Sequence, residues 1–101
     1  MTTGYIDTFG DGIDEHRTDI SEAVLEENRI VVNLNSEDKD DPTHIVLVKD
    51  NRNLWQAHTG RIKLSDAIMQ KTDDQIIIKG SIAGGKGNNE GEFKMVLYKG
   101  R

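Results

Sequence analysis

The sequence predicts an all-β domain: an antiparallel meander of about seven to eight strands forming a small closed or nearly closed barrel. Three observations lead there. Isoleucine and valine supply 17 of the 35 apolar residues, whereas alanine supplies 4 and leucine 6. Such β-branched side chains lose rotamer freedom in a helix and pack well on a pleated surface. Five short β-branched runs are bounded by clusters of turn residues, and one six-residue pattern occurs twice. At 101 residues without cysteine, the chain has room for a single core and no disulfide, thiolate metal site or thiol nucleophile.

In chain order, the first acidic stretch is Asp7–Glu15. Asp7, Asp11, Gly12 and Glu15 fall at the first, fifth, sixth and ninth positions of a calcium loop, but Phe9 and Thr18 occupy the third and twelfth, where oxygen ligands belong. An acidic turn between two strands is therefore expected. Asp19–Asn28 reads two ways: as a short helix capped by Asp19 with Glu22 at its third position, or as a strand. Arg29–Asn35 sets Ile30, Val32 and Leu34 on one face, and His44–Lys49 is apolar on both. Across a turn at Asp50–Asn53, Leu54–Thr59 sets Trp55, Ala57 and Thr59 opposite Leu54, Gln56 and His58. Ser65–Thr72 is ambiguous in the same way as Asp19–Asn28. Gln75–Ile82 aligns Ile76, Ile78 and Ile82, and Glu92–Lys99 aligns Phe93, Met95 and Leu97 against Lys94 and Lys99.

The repeat bears on both ambiguous segments. Ile20-Ser21-Glu22-Ala23-Val24-Leu25 matches Leu64-Ser65-Asp66-Ala67-Ile68-Met69 in residue type at every position, and each is followed by a polar turn and a β-branched run. Further on, Ile45–Lys49 is answered by Met95–Lys99, giving offsets of 44 and then 50 residues. A duplication of strand, turn, strand, loop and strand would make both segments strands and the total eight. Eight strands close a barrel whose interior is just filled by side chains or holds one small ligand.

Ile20–Leu34 and Gln75–Lys99 resemble the hairpins of small calycin-like, lipocalin-like barrels or related β-sandwiches, in which a strand leaves through a glycine, crosses a Gly-rich loop and returns amphipathic. The resemblance implies a fold and carries no catalytic or binding motif. The Gly-x-Trp entry of lipocalins is replaced by Gly4-Tyr5-Ile6.

Residues 1–50 carry 13 acidic and 4 basic side chains, and residues 51–101 carry 5 and 9. An asymmetry of this size points to a basic partner unless the halves interleave in the meander and average out, which is the expectation here. With a pI near 5.1 and five aromatic residues, neither a basic groove nor a stacking platform for nucleic acid is present. The longest apolar runs, Ile45–Val48 and Ile76–Ile78, fall short of a membrane span, so a soluble chain is expected, cytoplasmic or the mature form of a secreted one.

Catalytic signatures are missing. Gly80–Lys86 has the spacing of a phosphate loop, but Gly87 stands where Ser or Thr would hold magnesium, and no helix can precede the last strand. His16, His44 and His58 lack metal-ligand spacing, so no cofactor or metal is expected.

The expected function is a non-catalytic binding module, protein-binding or inhibitory. It would act through polar and acidic loops at Glu37–Pro42 and Gly84–Gly91, with Asp38, Asp40, Asp41 and Lys86 meeting the partner. The alternative is a carrier of a small apolar ligand. There Trp55, with His58 and Arg61 just beyond it, would line a pocket rather than plug the core. Edge strands leave a dimer open.

Overall fold

The computed structural model describes residues 2–10, 13–35, 44–59, 62–84 and 89–98. Eight strands follow one another: β1 (Thr2–Gly10), β2 (Ile13–Leu25), β3 (Arg29–Asn35), β4 (His44–Lys49), β5 (Trp55–Thr59), β6 (Ile62–Lys71), β7 (Gln75–Gly84) and β8 (Asn89–Tyr98). Each pairs antiparallel with its neighbours in sequence, and β1 pairs with β8, so the meander closes into a barrel. The expected fold class is what forms, with a closed barrel rather than a sandwich.

Alternation decides what faces inward. Ile30, Val32 and Leu34 on β3, Ile76, Ile78 and Ile82 on β7, and Phe93, Met95 and Leu97 on β8 are all buried in one apolar cluster. Trp55 and Ala57 from β5 join them, as do Ile45 and Leu47 from β4. On β4 only one face is fully buried, and Val48 of the other is exposed. No polar or charged residue is buried among the described residues.

Both ambiguous segments are strands, inside β2 and β6, and both carry a β-bulge at the same dipeptide. On β2, Ser21 and Glu22 together face Thr3, and the register against β3 slips at Ser21. On β6, Ser65 and Asp66 together face Gln56, while Asp66 and Ala67 together face Gly80. The bulge explains the pattern: Ile20 and Ala23, like Leu64 and Ala67, are buried three residues apart, a spacing a flat strand does not give. A Cβ on Gly80 would come within 2.8 Å of the Ala67 Cα and Cβ, so the bulge leans on a position only glycine can fill.

The charge expectation is corrected. A meander in strict sequence order keeps β1–β4 and β5–β8 as two contiguous walls. The halves therefore do not interleave, and the acidic excess of residues 1–50 is not averaged against the basic excess of residues 51–101 strand by strand, although each wall carries charges of both signs.

Candidate functional site

The wall is least complete where its two halves meet at β4 and β5. Most seams are long; β7 and β8 register ten residue pairs, whereas β4 and β5 register two, Val48 with Gln56 and Lys49 with Trp55. Backbone direction follows from the turn between them. The Asp50 amide donates to the Leu54 carbonyl at 2.8 Å, while the Lys49 amide donates the other way, to the Asn28 carbonyl at 3.0 Å. Alternation then points the amides and carbonyls of Asp50, Val48 and Val46 toward β5, and those of Leu54, Gln56 and His58 toward β4. Asp50 with Leu54 and Val48 with Gln56 are rungs of this ladder. Val46 and His58 would form the next, and no such pair is registered.

At its closed end the seam is clasped by a polar network. The Asp50 carboxylate accepts from the amides of Arg52 (2.8 Å) and Leu54 (3.1 Å), from Gln56 Nε2 (3.1 Å) and from the Arg52 guanidinium (3.1 Å). Burial pushes the Asp50 pKa up, but these donors outweigh it and hold the group at about 2. Arg52 and Gln56 also reach Asp66 Oδ1, at 3.2 and 3.3 Å, and the Asp66 amide donates to Gln56 Oε1 at 3.2 Å. Asp66 sits at φ 54° as the extra residue of the β6 bulge. The network therefore ties turn 50–54 to the bulge and stops the seam from opening at that end.

The residues singled out in the sequence are placed as follows. Trp55 is 3% exposed, a member of the core cluster, with the Lys49 ammonium 6.0 Å from its ring centre. His58 is exposed on β5, beyond the last registered β4–β5 pair. Asp38, Asp40, Asp41, Arg61 and Lys86 lie outside the described residues. His44 Nδ1 is 2.8 Å from Asn33 Oδ1, and among the described residues no three His, Asp or Glu side chains gather as a metal site. Asp7, the first position of the supposed calcium loop, is a β1 residue gripped at both oxygens by Arg17, at 2.7 and 3.0 Å. Its pKa is lowered, first by the hydrogen bond from Arg17.

Sequence reasoning missed Val46, Gln56 and Asp66. Val46 is one more valine in an apolar run; what distinguishes it is the strand that fails to lie beside it. Gln56 and Asp66 carry no motif, and their roles come from the bulge. Comparison with protein-family models, with curated proteins and with solved structures gave no match.

Proposed function

We propose that the chain is a non-catalytic protein-binding module that takes an extended segment of its partner as an added strand along the open part of the β4–β5 seam. The missing Val46–His58 rung carries this reading. An exposed strand edge presents backbone donors and acceptors at ladder spacing, and main-chain bonds to such an edge supply affinity without any chemical machinery. The occupant is a segment bearing basic residues. Asp38, Asp40 and Asp41 directly precede β4 in the sequence, and the β1–β4 wall belongs to the acidic half of the chain. A second copy of the chain would bring its own net charge of −5 to the same place and is disfavoured. The calycin-like resemblance agrees with an eight-strand meander barrel and adds nothing about a partner. The matching bulges in β2 and β6 support the duplication reading.

A photo-cross-linker at His58 should capture a partner that the same group at Tyr98, on the far wall, does not. Val46→Pro should weaken that partner at least tenfold while leaving the fold intact, because the lost amide faces the seam and not the β3 ladder. Neutralising Asp38, Asp40 and Asp41 together should weaken it further and flatten its salt dependence. Equal capture from both walls, or unchanged affinity in both variants, overturns the reading. Sedimentation of the free chain separates it from self-pairing, which would appear as a dimer abolished by Val46→Pro.

The carrier reading requires space beside Trp55, yet Trp55 is 3% exposed within the apolar cluster and lies directly opposite Ala67 on β6. That packing favours the plug.

A further inference from the structure

On the side of the barrel away from the seam, the outer surface of β7, β8 and β1 holds a groove of about 390 Å³ lined by Phe9, Lys79, Gly80, Ser81, Glu92, Phe93 and Lys94. Its charge arrangement is unusual for a wall with no task. Lys79 and Lys94 are direct cross-strand partners, and like charges opposite each other destabilise a sheet. Among the described residues neither ammonium makes a direct ion pair. Lys94 lies opposite Asp7 on β1 and helps to lower its pKa through space, but the Asp7 oxygens are hydrogen-bonded by Arg17. Two cations thus share one end of a concavity. The next row of the wall supplies the rest: Ser81 opposite Glu92, and Glu92 opposite Phe9, whose ring is 38% exposed at the rim. The ring offers an apolar side wall, and the Glu92 carboxylate at the other end turns away a second negative charge.

We infer that this groove binds a small aromatic molecule bearing a single anionic group, a carboxylate or a phosphate, placed between Lys79 and Lys94 with its ring against Phe9. The anion relieves the repulsion between the lysines, which links binding to the stability of the β7–β8 pair. This site is independent of the seam, and either can fail without the other.

The test is an amide NMR titration of the full chain with benzoate and with phenyl phosphate, using sodium chloride at matched ionic strength as the reference. The expected result is saturable shifts confined to the neighbourhood of Phe9, Lys79 and Lys94, with the tighter probe naming the anion. Lys79→Gln combined with Lys94→Gln should weaken binding about tenfold or more, the loss of roughly one charge-assisted contact. Phe9→Ala should weaken benzoate and leave the response to inorganic phosphate unchanged. Adding a second carboxylate, as in terephthalate, should give no gain, and Glu92→Gln should restore one. Shifts reproduced by sodium chloride alone, or unchanged affinity in the double lysine variant, overturn the inference.

Discussion

Asp66 stands outside the register of both neighbouring strands, and Gln56 from β5 holds it there: Gln56 Oε1 accepts the Asp66 amide at 3.2 Å while Gln56 Nε2 donates to Asp66 Oδ1 at 3.3 Å. One side chain thus satisfies both an amide the bulge removes from the ladder and the carboxylate beside it. Gln56 also donates to Asp50, so the bulge, the 50–54 turn and the short seam form one unit.

Gln56→Ala should therefore cost more than an ordinary surface substitution, about 1–2 kcal/mol, since a strained amide loses its acceptor. At Asp66 the φ of 54° ranks the replacements: Gly and Asn are tolerated, whereas Val, which disfavours the left-handed region, loses at least about 1 kcal/mol. Urea midpoints measure both. Equal stability of Asp66→Val and Asp66→Asn would show that the bulge does not hold this conformation in solution.

Acid should weaken the same unit first. The Asp50 pKa is depressed from 3.8 to about 2 in the folded chain, so its contribution is fully present above the unfolded value and is lost as the pH falls through the window between them. The Asp7 pKa is lowered in the same direction by its bonds to Arg17, and its contribution likewise fades below the ordinary carboxylate range. Thermal scans from pH 5 to 2 should show a falling midpoint whose slope is reduced in Asp50→Asn. A parallel pH profile in that variant would place the acid sensitivity elsewhere.

How far the fold can be read from the sequence depends on whether a strand is flat. On β3 and β8 the inward positions recur every second residue, Ile30, Val32, Leu34 and Phe93, Met95, Leu97, and the face can be read directly. On β2 and β6 the inward positions Ile20 and Ala23, and Leu64 and Ala67, are three apart because a bulge lies between them, and three is also a helical spacing. The helix and strand readings are thus indistinguishable from periodicity; the six-residue repeat, followed each time by a polar turn and a β-branched run, is the signal that favours strands. The seam and the outer groove were illegible for a different reason. Both depend on which residues the closed register sets side by side, Val46 with a missing neighbour and Lys79 with Lys94, and no local pattern encodes either.

Trp55 provides a test of the interior. Its ring is the bulkiest side chain in the apolar cluster, and its cross-strand partner Ala67 cannot expand to fill its place. Trp55→Ala should cost about 3–5 kcal/mol, a large fraction of what a domain of this size possesses, and Trp55→Phe appreciably less. The wild-type emission should be blue-shifted, as for a dry indole, and flat across a panel of apolar ligands. Quenching or a further shift with any of them would restore the carrier reading.

Gly4 closes the barrel, and its replacement should show how little slack that closure has. It pairs with Ile20 on β2 and Leu97 on β8, and a Cβ built there would collide with the Val96 carbonyl oxygen, a backbone atom with no side-chain freedom to give way. Val96 is itself buried on the outer wall, beside Tyr5 and Ile77 in register, so β8 cannot retreat without exposing it. The strain must then be taken by the β1–β8 pair. Gly4→Ala should destabilise by about 2–3 kcal/mol, beyond the range of simple surface changes, and hydrogen exchange should rise on both sides of that pair before it rises on β3. If Gly4→Ala left exchange at Tyr5 and Val96 as slow as in the parent, β1 and β8 would have to lie farther apart than this register places them.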